Sequence, residues 1–256
     1  MRPEFYTALE KTPMIRRRLW LTTLALWTVL PLVARADEPA TVKPVPRDEK
    51  WWTDRNDQFN ARAKQGDVDV IFLGDSITHG WEGKEAQPIW DKYFAPRKAM
   101  NAGIGGDRTQ HVLWRLDHGN IDGIKPKLAV IMIGTNNSGS DSSEDIAAGI
   151  KAIVEKLRKA LPETKILILG IFPRGPNADD AKRKTNIGAN EIVKKLDDGK
   201  QVHYLDISDK FLEPDGTLSK EIMPDLLHLS QRGYQIWAEA IDGKLAELGA
   251  VARAKE

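Results

Sequence analysis

The sequence contains no cysteine. Disulfides, thiolate metal sites and thiol nucleophiles are excluded together, so any covalent chemistry must use another side chain. Nucleotide signatures are missing as well. No Gly-Lys-Ser or Gly-Lys-Thr phosphate loop occurs, and a dinucleotide fingerprint opening at Gly103 fails because Arg108 stands where its last glycine belongs. The Gly-x-Ser-x-Gly elbow fails at Thr78. His79, His111, His118 and His203 are scattered, with no His-Glu-x-x-His pair, so neither metal nor organic cofactor is expected. Net charge is scarce: 38 basic against 37 acidic residues over 256 positions.

What charge imbalance exists sits at the start. Residues 1–36 hold six basic and two acidic side chains, which leaves the remaining 220 slightly acidic. Such a body lacks the phosphate-neutralising excess of a nucleic-acid binder. Arg16-Arg17-Arg18, the apolar run Leu19–Val33 and Ala34-Arg35-Ala36 have the order of a secretory signal peptide. Export with cleavage after Ala36 is expected, giving a periplasmic or secreted protein with no stable membrane insertion. An uncleaved N-terminal anchor is the alternative, although the run is short for a span and contains Pro31. Residues 37–50, with three prolines and no apolar period, read as an extended linker.

From about Trp51 the chain alternates short apolar runs with amphipathic stretches. Val68–Gly74, Lys98–Ala102, Leu128–Gly134, Lys165–Gly170 and Val202–Ile207 are short and mostly bounded by Gly, which favours strands. Asp141 is expected to cap a helix with Glu144 three residues on, and Ile146, Ile150, Ile153, Val154 and Leu157 form its apolar stripe. Ala181–Leu196 and Gln231–Leu248 have similar spacing. Strands alternating with helices imply crossovers and a parallel sheet covered on both faces. The expected fold is a three-layer α/β/α sandwich over residues 51–248, followed by a short tail at 249–256. Trp81, Trp90 and Trp114 are expected in the core, and Trp51-Trp52 as the pin between linker and body.

Ligands of such sheets bind beyond the carboxyl ends of the strands. Gly74-Asp75-Ser76, Gly105-Gly106-Asp107 and Gly134-Thr135-Asn136-Asn137 follow the first three runs, and Asp225-Leu226-Leu227-His228 comes far downstream. A serine hydroxyl needs a base, and the base needs an orienting partner. Asp225 and His228 could supply both to Ser76. Taken singly, Ser76 reads equally well as a helix cap, Asp-x-x-His as a surface pair, and the glycines and Asn136 as turn residues. Together they offer a nucleophile, a base and donors for an oxyanion: the amide of Gly106 and the side chain of Asn136. Arg108 and Arg174 are candidate cleft residues, with surface solvation the simpler account of each.

These four blocks occur in the order found in the SGNH (GDSL-type) hydrolase superfamily, which the chain resembles over roughly residues 50–245. Within it, residues 101–137, 165–175 and 224–234 most resemble the catalytic subunits of intracellular platelet-activating-factor acetylhydrolase. The resemblance implies a flavodoxin-like fold with a five-stranded parallel sheet. It also implies Ser76 as nucleophile, His228 as base, Asp225 as its partner, an oxyanion hole of the Ser76 and Gly106 amides with Asn136, short acyl substrates and a homodimer. Asn137 departs from many superfamily members, which carry Asp there, though not from the acetylhydrolase branch. The leader is a second departure, since the animal subunits are cytosolic. The expectation is an exported, metal-independent serine esterase acting on acetyl-like esters, including O-acetyl groups on carbohydrate. Hydrolysis of lysophospholipid or platelet-activating-factor-like esters is one alternative; a non-catalytic carbohydrate-binding module is another.

Overall fold

The five apolar runs become five parallel strands: β1 (Val70–Gly74), β2 (Ala99–Gly103), β3 (Leu128–Met132), β4 (Lys165–Leu169) and β5 (Val202–Leu205). The computed structural model describes residues 38–253, so the expected signal peptide lies outside the described residues. The sheet order is β2-β1-β3-β4-β5, the expected flavodoxin-like arrangement. Its reversal of direction falls between β1 and β3, the place where such sheets open a crevice.

Strand β1 shows why the runs carry no polar face. Val70 and Phe72 point to one side and Ile71 and Leu73 to the other, and all four are buried. A sheet covered by helices on both faces leaves neither side of a strand for water. One layer holds α1 (Lys50–Lys64), α4 (Thr109–Asp117), α5 (Ser143–Ala160) and α6 (Ala181–Val193). The opposite layer holds α3 (Gln87–Tyr93) and α7 (Gln231–Glu247), and the four-residue α2 (Ser76–His79) follows β1 directly. The α3/α7 layer is rich in aromatics: Trp81 packs on Phe94 at 5.1 Å and on Trp237 at 5.0 Å between ring centres. Trp81 and Trp90 are buried, whereas Trp114 is half-buried and stacks on His118. Among the described residues no helix is long and apolar enough to cross a membrane.

Several expectations are corrected. Residues 38–50 are not a free linker. They belong to the same compact unit as the rest, and Thr41 is buried, donating to the Asp145 carbonyl at 2.6 Å and accepting from the Thr109 hydroxyl at 2.9 Å through its own carbonyl. Proline richness removes a helical period, but it does not prevent specific backbone and hydroxyl pairing. Nor are residues 249–253 a loose tail, since Ala250 is buried and its carbonyl accepts from Arg97 Nε at 2.8 Å. Helix α5 is capped by Ser142, whose hydroxyl accepts from the Asp145 amide, rather than by Asp141. Asp141 instead takes a hydrogen bond from Asn137. Of the two tryptophans expected as a pin, Trp52 is buried in α1, whereas Trp51 is largely exposed beneath the Arg47 guanidinium.

Candidate active site

Ser76 opens α2 at the carboxyl end of β1. The cap of that helix is Asp75, whose carboxylate accepts from the Ile77 amide at 3.0 Å. The serine hydroxyl is therefore spared that task. The Ser76 amide, first in a helix, is among the donors that have no intrahelical partner. Gly74 lets α2 fold back this tightly, because a Cβ there would stand 2.1 Å from the Thr78 hydroxyl.

Residues 225–228 approach from the far end of the sequence in a tight turn with Leu226 in the left-handed region at φ 60°. The amides of Leu227 and His228 both donate to Asp225 Oδ1, at 3.1 and 2.7 Å. The other carboxylate oxygen lies 2.6 Å from His228 Nδ1, and His228 Nε2 lies 2.9 Å from Ser76 Oγ. With the Nδ1 proton given to Asp225, Nε2 is left to accept from the serine hydroxyl. Burial pushes the Asp225 carboxyl up, but the hydrogen bonds from the His228 ring and amide outweigh it and hold its pKa below the ordinary value.

The loop after β2 runs beside this line. A Cβ built on Gly105 would lie 3.7 Å from the Ser76 Cβ. Gly106 is exposed with φ +78°, a conformation that favours glycine. Its neighbours are held from several directions. The Gly105 amide donates to His79 Nδ1 at 3.3 Å, the Asp107 amide to the Ile104 carbonyl at 3.1 Å, and the Asp107 carbonyl accepts from Asn136 Nδ2 at 2.9 Å. That bond uses one of the two Asn136 amide protons and leaves the other. The Gly106 amide donates to no group among the described residues. Burial, helped by the Arg55 charge, lowers the His79 pKa and so favours the neutral ring that can accept this bond.

Beneath the loop lies a buried polar network that sequence reading missed. Asp107 accepts from Trp52 Nε1 at 2.7 Å and from Arg115 Nε at 2.9 Å, and Arg115 continues to Asn120 at 2.5 Å. Both oxygens of Asp107 thus serve as acceptors, as a carboxylate requires. Burial pushes the Asp107 carboxyl up and the Arg115 guanidinium down, and their mutual attraction opposes both shifts. The sequence signal was the pair Asp107 and Arg115, eight residues apart, but only the fold reveals that both are inside. Arg174 is likewise tied down, donating to the Thr135 carbonyl and hydroxyl at 3.1 Å, while Arg108 donates to the Ser140 hydroxyl at 3.2 Å.

Ser76 and His228 form part of the wall of a cleft of about 360 Å³ whose other walls include Gly80, Lys84, Gln231 and Tyr234. A larger, mostly apolar hollow of about 480 Å³ lies at the amino ends of β3 and β4, lined by Ile124, Pro126, Leu161 and Pro162. It is remote from the loops just described. Among the described residues no cluster of His, Asp and Glu has a metal-holding arrangement. What the site offers is a hydroxyl whose proton has a path to an imidazole, next to unengaged amide donors.

Comparison with known proteins converges on one group. A profile of the GDSL-like lipase/acylhydrolase family matches residues 72–236. The platelet-activating factor acetylhydrolase IB subunit alpha1 of Rattus norvegicus is 39% identical over 214 residues, covering 83% of this chain and 90% of the relative. A GDSL-like lipase from Bacteroides thetaiotaomicron superposes with a TM-score of 0.61 at 20% identity, over 76% of this chain and 97% of that one. An acetylxylan esterase from Geobacillus stearothermophilus superposes with a TM-score of 0.55 at 20% identity, over 73% and 96%. At these identities the two solved structures speak for the fold alone.

Proposed function

The chain belongs to the GDSL-like lipase/acylhydrolase family, and from that premise we propose that it is a serine esterase that removes short, acetyl-like acyl groups through an acyl-enzyme. The observation that carries this reading is the unbroken line Ser76 Oγ, His228 Nε2, His228 Nδ1, Asp225 Oδ2, with steps of 2.9 and 2.6 Å across the two hydrogen bonds. His228 takes the serine proton as Oγ attacks the ester carbonyl. Asp225 holds the ring in the required tautomer and stabilises the imidazolium. Charge collects on the carbonyl oxygen, which accepts hydrogen bonds from the amides of Ser76 and Gly106 and from the free proton of Asn136. As the tetrahedral adduct collapses, His228 returns the proton to the departing alcohol; water then repeats the sequence on the acyl-enzyme.

The alcohol must leave on the His228 side, so the cleft bounded by His228 is its natural seat. Lys84, Glu85 and Gln231 stand there, and all three are exposed. That lining supports a hydroxyl-rich alcohol such as acetylated carbohydrate. The names of the relatives leave a second acetyl ester in play, the platelet-activating-factor type. Export through residues 1–36 completes the proposal, and N-terminal sequencing of the mature protein checks it.

The test is release of p-nitrophenol from acetate, butyrate and octanoate esters by wild type and Ser76→Ala, with fluorophosphonate labelling alongside. Turnover should fall with acyl length, and Ser76→Ala should lose both activity and label. Equal turnover by the two proteins refutes the serine mechanism. Acetylated xylo-oligosaccharide against an acetylated ether phospholipid, compared by kcat/KM, then separates the two alcohol classes.

A further inference from the structure

We propose that Arg47, on the segment preceding α1, is a positioning residue that aims and polarises the peptide whose N–H binds the oxyanion. The inference rests on the serine-esterase reading above. Arg47 Nη1 donates to the Gly105 carbonyl at 2.7 Å. That carbonyl and the Gly106 N–H belong to one peptide plane, and in a trans peptide they point in opposite directions. Fixing the oxygen from one side therefore fixes the direction of the N–H on the other.

The remaining contacts hold the guanidinium to this task. Glu49 takes Nη2 at 2.8 Å and Nε at 3.3 Å, the buried Asp107 carboxylate lies 3.8 Å from Nη1, and the Trp51 ring lies beneath at 5.1 Å. Gly106 is part of the fit, since a Cβ there would come within 2.8 Å of Nη1. The segment itself is anchored through Thr41 and through the Val45 amide, which donates to the Gln110 carbonyl at 3.2 Å.

The chemistry follows from charge. A guanidinium hydrogen-bonded to a carbonyl draws electron density along the peptide and makes its N–H a stronger donor. This matters most when full negative charge develops opposite it, so the benefit falls on the transition state and leaves ground-state binding nearly untouched. The residue acts through the Gly105–Gly106 peptide and touches neither ester nor nucleophile.

The experiment compares wild type, Arg47→Ala, Arg47→Lys, Lys50→Gln and Ser76→Ala with p-nitrophenyl acetate, recording kcat, KM and thermal midpoint. It adds inhibition by phenylboronic acid, whose serine adduct is tetrahedral. Removing an oxyanion donor outright costs about 10²- to 10³-fold in kcat, so losing only its aim should cost roughly 10- to 100-fold. Arg47→Ala should show that fall with KM within about twofold and a nearly unchanged midpoint, and its boronate inhibition should weaken by a similar factor. Arg47→Lys should recover most of the loss. Lys50→Gln, which removes an exposed charge paired with Asp54, should match wild type.

The proposal is overturned if kcat of Arg47→Ala stays within about threefold of wild type. It is equally overturned if the loss appears in KM or in thermal stability while boronate affinity is unchanged. If Ser76→Ala is inactive in either of those cases, the esterase reading survives and only the role of Arg47 fails. If Ser76→Ala is fully active, the reading beneath it fails.

Discussion

Asp75 gives the sharpest prediction, because its carboxyl is fully buried and one of its oxygens has no partner among the described residues. Burial raises its pKa from 3.8 to about 7, against the hydrogen bond from Ile77, and the nearby Asp107 carboxylate adds to the rise. Between those two values the folded chain holds a proton that the unfolded chain has lost. Stability therefore falls as pH rises through this window: the contribution is complete below pH 3.8 and gone once the pH passes about 7. The replacement Asp75→Asn keeps the shape and the acceptor for Ile77 but does not titrate. At 1.36 kcal/mol per pKa unit, a rise of this size corresponds to about 4 kcal/mol. Chemical unfolding of both proteins from pH 3 to 8.5 measures it. The stability of Asp75→Asn minus that of wild type should climb with pH and level off above neutrality. Carboxylates with lowered values, such as Asp225 and Asp198, are common to both proteins and cancel in the difference. A difference flat to within about 1 kcal/mol would refute the reasoning.

Two further outcomes follow from the same geometry. Asn136→Ala should lower kcat by about 10²- to 10³-fold with KM within threefold, since the amide is offered to charge that exists only in the transition state; unchanged kcat in steady-state assays removes Asn136 from the oxyanion site. Arg115→Met leaves the Asp107 carboxylate buried without its guanidinium and should cost about 3–5 kcal/mol in denaturant unfolding. Arg115→Met combined with Asp107→Leu should recover much of that cost, whereas a single-variant loss under about 1 kcal/mol contradicts the network described here.

The sheet was legible because a strand buried on both faces has to be apolar at nearly every position, as in Val70–Leu73 and Leu128–Met132. Strand boundaries drifted by one or two residues, as at Gly103, which extends β2 to pair with Gly74. Helix α1 carried no clear stripe. Its buried face includes Arg55 and Asn56 beside Trp52 and Phe59, and these polar residues are inside only because Glu82, the Gly103 carbonyl and Asn120 meet them. A periodicity argument has no means of seeing such pairing.

The sequence alone determined the material of the site: a serine after the first strand, glycines and Asn136 after the next two, Asp225 and His228 at the end, and no thiol to compete. Only the tertiary structure decided that His228 stands 2.9 Å from a hydroxyl 152 positions away, that Asp75 rather than Ser76 caps α2, and that an apparent linker places Arg47 on Gly105. Residue type and local spacing are properties of a few neighbouring positions, and a sequence displays them directly. Which distant groups share a hydrogen bond depends on the sheet order and on how each loop is closed, and those are fixed only when the whole chain has packed.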